Sequence, residues 1–358
     1  MVSVRDVIKE IETLAPPALA EEWDNSGLQT GDRKAEAQKI LVALTPLPEV
    51  LDEAEEKNAD FLLFHHPLIF KPIKSVDESS YPGDLLTRAI KNGITIYAAH
   101  TSYDAAPDGV SVALADVLEL RGPLSVASPR GFLKKLVVFV PEENVGDVAD
   151  ALSGAGAGVI GDYTHCTFRI PGTGTFLPGD AANPHLGKRG NLEKVAEIRL
   201  ETVVPSHLAD EAIRAATEAH PYEEMAHDIY PVEGKPEGCG YGRIGNFSER
   251  LSPDELREHV SEKLGFEARL VADTGMDIRR VAVLGGSGGS FILEVAAIGA
   301  EAYITGDLDY HDGLLAESLG LTAIDAGHAA TELPSLAPMV ERLAKLVDIP
   351  VEVSRVRR

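Results

Sequence analysis

Thiols are scarce in this chain: its 358 residues include two cysteines, Cys166 and Cys239, far apart in the sequence. The pair supports neither a disulfide framework nor a thiolate metal site. Positive charge is also short. Lys and Arg number 33 against 57 Asp and Glu, the formal net charge is -24 and the isoelectric point is about 4.8. Such a surface repels phosphate backbones, so no nucleic-acid partner is expected, while acidic clefts concentrate metal cations. No apolar run reaches membrane-span length. The N-terminus MVSVRDVIKEIETLAP is charged and amphipathic, without the apolar core of a signal. The expectation is a cytoplasmic protein with no membrane partner. Aromatics are 6% of the chain, with one tryptophan, Trp23. It stands in EEWDNSGLQTGD, a run of turn residues. It reads as an aromatic plug under that loop, the alternative being a pocket wall.

What the chain does have is an ordinary apolar content of 44% and length enough for two or three domains. Its most informative stretch is FLLFHHPLIF, residues 61–70. Phe61 to Phe64 reads as a short strand buried on both faces, and Pro67 stops the ladder. His65 and His66 fall at the C-terminal end of that strand, where open α/β sheets collect ligands. Val4 to Leu14 has helical spacing. Strands over Ile40–Leu44, Phe61–Phe64 and Ile94–Ala98 alternate with helices over Leu47–Ala54 and Gly83–Lys91, the βαβαβ pattern of a parallel sheet. The third strand runs into AAHTSYDAAPDG, which puts His100 and Asp104 on the same rim. Pro107 and Asp108 stand closer to the start of the next helix, which frees Asp104 from capping. His100 reads as a residue that supports the site by a hydrogen bond.

From Gly122 to Gly131 the composition turns linker-like. Beyond it, strands over Lys134–Val140, Tyr163–Ile170, Lys194–Val203 and Ala226–Tyr230 and helices over Glu143–Ala155 and Ser206–Ala219 give the split β-α-β-β-α-β plan, with Pro171 to Lys188 as loop. This segment reads as a ferredoxin-like α+β domain inserted into the first. The division expected is 1–125 for the first half of the core, 131–231 for the insert and 232–358 for the second half. In the second half, a helix over Pro253–Leu264 precedes a strand over Arg279–Leu284. GGSGGS (Gly285 to Ser290) follows it and resembles a phosphate-cradling turn without matching a P-loop, and a close approach of bare backbone to the neighbouring site fits it equally well. The strand Ala302–Thr305 leads into TGDLDYHD, with Asp307, Asp309 and His311. The strand Leu321–Ile324 leads into DAGHAATE. There His328 and Glu332 stand at i and i+4, on one face of a helix.

His65, His66, Asp104, His328 and Glu332 thus converge on one rim. Three imidazoles and two carboxylates exceed the needs of one catalytic zinc and suit two divalent ions. Mixed N/O ligands without thiolate fit Zn, Mn, Fe, Co or Ni.

The motifs WDNSGLQTGD, HHPLIFKPIKS, AAHTSYDAAPDGVSVALAD, VLGGSGGS, ITGDLDYHD and IDAGHAATE resemble the NIF-three-like family, whose bacterial members are called GTP cyclohydrolase 1 type 2 homologues. The middle segment resembles the PII/CutA-like insert of its longer members. The resemblance implies an α/β/α core with a mainly parallel sheet and the five residues above as ligands of a dinuclear metal site. His66, Asp104 and Glu332 would hold one metal, and His65, His328 and the shared Glu332 the other. It also implies a toroidal homohexamer and hydrolytic opening of the guanine imidazole ring of GTP, giving formate and dihydroneopterin triphosphate. In that reaction His100, Asp309 or His311 would move protons, and Lys71, Lys74, Gly286 and Ser287 would meet the triphosphate. Other readings of the same residues are a two-metal phosphohydrolase or amidohydrolase, and a metal-binding regulatory scaffold.

Overall fold

Four consecutive apolar residues, Phe61–Phe64, are all buried and form the middle of a five-stranded sheet. Their neighbours are Ile40–Ala43 on one side and Thr95–Ala98 on the other, both parallel. Val351–Val353 adds a parallel edge, and Gly27–Thr30 closes the opposite edge antiparallel. The structure, a computed structural model, describes residues 2–127, 133–160, 163–232 and 238–357. The chain divides into two compact units, Met1–Pro129 with Pro236–Arg358, and Arg130–Lys235.

The first unit is mixed α/β and holds a second main sheet, which differs from the mainly parallel core expected. Six strands lie in the order 269–272, 322–325, 302–306, 278–287, 241–251, 121–127. Ile278–Ser287, Ala302–Gly306 and Thr322–Asp325 run parallel to one another, and the other three pairings are antiparallel. Hydrophobic period identifies a strand but not its partner, so the second half of the chain builds its own sheet instead of extending the first. Residues 121–127, expected as linker, are the edge strand of this sheet, and the rest of that stretch, 128–131, lies outside the described residues. Leu114, Leu118, Leu256, Val260, Ile304 and Ile324 form the core beneath it. The helix Pro253–Leu264 starts on a reciprocal capping box between Ser252 and Glu255, which is why its boundaries were readable.

Arg243 ties the two halves of this unit together. It is buried, and its guanidinium donates to the carbonyls of Gly240, Gly242, Gly238, Ala106 and Pro107 at 2.6–3.3 Å. Five N–H donors in a rigid fork suit such a cage of carbonyls. The loop just after Asp104 is fixed in this way.

The second unit is an antiparallel sheet in the order 227–232, 133–141, 193–205, 168–176. The helices Val145–Gly154 and Ala209–Ala219 cover one face through Val148, Leu152, Ala212 and Ala216. The strand Phe168–Phe176 begins later than expected and includes Pro171, Gly172 and Gly174, part of the stretch read as loop. It is the outer strand of the sheet, where a proline costs no ladder bond. Among the described residues, no helix is long and apolar enough to cross a membrane.

Candidate metal centre

Both sheets of the first unit bring C-terminal strand ends to the same place. His65 and His66 follow Phe64, and their amides continue the ladder onto Ala43 and Leu44. The strand Thr95–Ala98 is followed by the short helix Thr101–Asp104, which carries Asp104. From the other sheet, Thr322–Asp325 turns through Gly327 into His328–Glu332, with His328 first and Glu332 last.

The imidazoles are held by their outer nitrogens. His65 Nδ1 lies 3.0 Å from the Ala99 carbonyl, which only accepts, so the ring donates there and turns Nε2 inward. His328 Nδ1 meets Asp307 Oδ2 at 2.7 Å, and His100 Nδ1 meets Asp24 Oδ1 at 2.7 Å. His66 Nδ1 contacts the Thr45 hydroxyl at 3.1 Å. Fixing one ring nitrogen with a carbonyl or carboxylate orients a metal-ligating histidine and raises its basicity.

The inner atoms crowd together, and three of them have no hydrogen bond to absorb their polarity. Glu332 Oε1 is 3.2 Å from His328 Nε2 and 3.5 Å from His65 Nε2, and Oε2 is 3.1 Å from His66 Nε2. His65 Nε2 is 3.6 Å from Asp104 Oδ1. His66 and His328 face each other through Nε2 at 3.3 Å. His65 Nε2, Asp104 Oδ1 and Glu332 Oε2 are buried and lack any hydrogen-bond partner. Such orphans are rare in folded proteins, because each costs about 1–3 kcal/mol. Glu332 thus lies between the imidazoles, with His65 and His328 on Oε1 and His66 on Oε2.

The electrostatics match. Burial pushes the His65 ring down, but Asp104 and Glu332 outweigh it and hold its pKa at about 9. His328 is raised to about 9 by its bond to Glu332, against the opposing effect of burial. Burial lifts the Asp104 carboxyl to about 6 despite His65 and His100. Glu332 is held well below the usual carboxylate range, since the three surrounding histidines outweigh its burial. His66 is lowered, chiefly by burial. Two groupings are able to hold a metal ion: His65 with His66 and His100, and His66 with His328 and Glu332.

The remaining expected residues fall in different places. His100 joins the cluster edge, with its ring 5.3 Å from His65 and 5.7 Å from His66. Asp309 caps the helix Tyr310–Ser318 in a reciprocal box with Asp312, so its carboxylate is occupied there. His311 is exposed on that helix against Tyr310. Lys71, Lys74 and Ser287 are exposed. The Gly286 amide donates to Thr331 Oγ1 at 2.9 Å and the Gly285 amide to Ser111 Oγ at 3.3 Å, so neither is free for an anion. Gly286 serves another purpose. It has φ +73°, and a Cβ on it would meet Glu332 Oε1, so the bare backbone passes directly beneath that carboxylate. The strand carrying it runs on through Ser287, beyond the end expected at Leu284. Asp108 does not cap the helix after it, and Arg342 approaches it at 3.6 Å.

Sequence reasoning missed Asp24 and Asp307. Asp24 is fully buried, and besides His100 it accepts from Ser26 Oγ, Thr101 N and Thr101 Oγ1 at 2.6–3.2 Å. Burial alone would raise its pKa, but His100 and these hydroxyls hold it well below the usual range. Asp307 sits at φ +57°, a left-handed conformation that Asp tolerates better than most residues. Trp23 is not a plug: it is 61% exposed, and its ring stands edge-on to Phe70 and His100.

Fold and cluster together define a mixed α/β protein with a histidine–carboxylate centre able to hold a metal ion. The chain belongs to the Duf34/NIF3 (NGG1p interacting factor 3) family, whose sequence profile matches residues 2–358. It is 41% identical over 335 residues to the Bacillus subtilis GTP cyclohydrolase 1 type 2 homolog, covering 93% of this chain and 90% of the relative. A Mycobacterium tuberculosis protein of the same name is 38% identical over 344 residues, covering 93% of this chain and 89% of the relative. Among solved structures, a Bacillus cereus protein related to NIF3 aligns with TM-score 0.67 at 38% identity, covering 99% of this chain and 97% of that one.

Proposed function

We propose that this chain is a dinuclear metal-dependent hydrolase whose ligands are His65, His66, Asp104, His328 and Glu332. The observation that carries the reading is the set of buried orphan atoms, His65 Nε2, Asp104 Oδ1 and Glu332 Oε2, all within the same cluster. A divalent cation satisfies such a set, and the N/O donors admit Zn, Mn, Fe, Co or Ni. When bound, a metal pair supplies positive charge that polarises a substrate oxygen and acidifies water. The chain's own residues do the rest. Ala99, Asp307 and Thr45 orient the three ligand rings. Asp24 holds His100 by Nδ1, which leaves Nε2 on the cluster side to give or take a proton. Lys71 and Lys74, next along from Phe70, supply local positive charge for a phosphate tail.

The reaction is the hydrolytic opening of the guanine imidazole ring of GTP, to formate and dihydroneopterin triphosphate. Its support is what the relatives are called. The protein is assigned to the cytoplasm as a homohexamer, and the 130–235 unit is assigned as a PII/CutA-like insert. The test has two arms. Elemental analysis of wild type, His66→Ala and Glu332→Ala should give two metals per chain in wild type and a clear loss in the variants. Equal content in all three overturns the site. Formate release from GTP with each metal, against His65→Ala, tests the chemistry. Phosphate release without formate favours the phosphohydrolase reading, and neither product favours the scaffold. Light scattering that gives a monomer mass at micromolar concentration removes the hexamer.

A further inference from the structure

Beside the cluster, the first unit exposes two large aromatic rings that it also holds still. Trp23 is 61% exposed and Phe70 48% exposed. Their ring centroids are 6.0 Å apart at an interplanar angle of 67°. Each lies 6.2 Å from the His100 ring, at 78° and 79°. Three rings nearly perpendicular to one another form a corner. A flat ring laid on one wall of such a corner presents its face to that wall and its edge to the next, the two arrangements that aromatic quadrupoles favour.

The corner is braced from both sides. Asp24, next to Trp23, is fixed by His100, Ser26 and Thr101. Ile69, next to Phe70, gives its carbonyl to Asn25 Nδ2 at 2.5 Å and its amide to Gln29 Oε1 at 3.1 Å. Gln29 Nε2 in turn donates to the Asn25 carbonyl at 2.8 Å. Large apolar rings left in water on backbone whose adjacent residues are tied down are partly pre-organised for a ligand, because less ordering remains to be done on binding. Trp and Tyr anchors of this kind supply contact area at low entropic cost.

We infer that Trp23 and Phe70 form a stacking subsite for a planar heteroaromatic ring of nucleobase type, with His100 as its inner wall. The inference rests on the proposed hydrolase reading in that it names the class of substrate delivered to that centre. A base seated there lies against the imidazole that adjoins His65 and His66. A phosphate tail then extends toward Lys71 and Lys74, the residues after Phe70. Trp23 and Phe70 are positioning residues: they hold the ring, and the cluster holds the chemistry.

The chain has one tryptophan, so its fluorescence reports on this corner alone. Guanosine, GTP and inorganic tripolyphosphate are titrated into the metal-loaded full-length protein. Guanosine and GTP should quench Trp23 saturably, and tripolyphosphate should not. Phe70→Leu keeps an apolar residue and removes the ring. It should weaken guanosine binding roughly five- to hundred-fold, the range for loss of a stacked base, without changing metal content. No quenching by guanosine, or wild-type affinity in Phe70→Leu, overturns the subsite. So does Trp23 emission that is blue-shifted when concentrated and red-shifted on dilution, since a second copy then covers the corner. The two proposals fail separately. Quenching without metal or formate release keeps the subsite and removes the hydrolase, while formate release without quenching does the reverse.

Discussion

Asp24→Asn changes one oxygen to nitrogen at the residue that orients His100, and its consequences can be worked from the contacts. The carboxylate receives five hydrogen bonds: His100 Nδ1 and Asn25 N on Oδ1, and Ser26 Oγ, Thr101 N and Thr101 Oγ1 on Oδ2. An amide offers one accepting atom. Its oxygen is best placed toward Ser26 and Thr101, where three donors converge, which leaves its NH2 facing His100. The ring must then accept at Nδ1 and carry its proton on Nε2, the nitrogen on the side of His65 and His66. His100 then keeps only a neutral bond and the Asn25 amide loses its acceptor, at a cost of about 1.5–3 kcal/mol. For a unit of this size that is a fall of roughly 3–12 °C in melting temperature. His100 belongs with His65 and His66 to one of the two groupings able to hold a metal ion, so metal affinity should drop about 10- to 100-fold, as for other losses of an orienting carboxylate. The pH dependence has a definite sign. The folded-state pKa of Asp24 is depressed, so its stabilisation is present above the unfolded value near 3.9 and is lost as pH falls below it. The gap between wild type and variant should therefore be constant from about pH 8 to 5 and narrow below about pH 4. Thermal melts across pH, metal titration and the nitrogen-15 shifts of His100 measure all three effects. A variant with wild-type melting and wild-type metal affinity would refute the role given to Asp24.

Gly286→Ala should displace the Glu332 carboxylate, since the added Cβ meets Oε1 and φ is +73°. Elemental analysis should show reduced metal, with a stability loss of about 1–2 kcal/mol by denaturant titration. Arg243→Met should cost roughly 3–5 kcal/mol, because five carbonyls lose their common donor inside the unit; chemical unfolding that shows a loss under 1 kcal/mol contradicts this. Replacing residues 133–230 with a short linker should leave a soluble core with undiminished metal content, and a metal-free or aggregated product counts against treating the segment as an independent domain.

The legible parts of the chain were those whose signal is local. Phe61–Phe64 and Val4–Leu14 match their expected limits because apolar runs and helical spacing are properties of the residues themselves. Ligand candidates were visible for a related reason. His65, His66, Asp104, His328 and Glu332 each follow a readable strand, and a strand end fixes where the next residues emerge. The illegible parts depend on partners distant in sequence. Asp24 looks like one more turn residue until Thr101 and His100, more than seventy positions away, close around it. Asp307 is unremarkable in TGDLDYHD until the turn after Ala302–Gly306 brings it to His328. Trp23 was misread because burial is the usual fate of a tryptophan, and only the placement of Phe70 and His100 shows a ring kept in solvent. For Gly286 the sequence left an anion cradle and a close backbone approach equally open. A glycine-rich turn after a strand resembles an anion cradle when only its own amides are considered. With Ser111 and Thr331 in place, the amides of Gly285 and Gly286 are engaged, and the missing side chain is what lets the buried Glu332 carboxylate lie against the backbone. Candidate ligands are therefore legible in sequence before the residues that orient them, since a candidate sits at the end of a local element while its support comes from whichever segment the fold brings alongside.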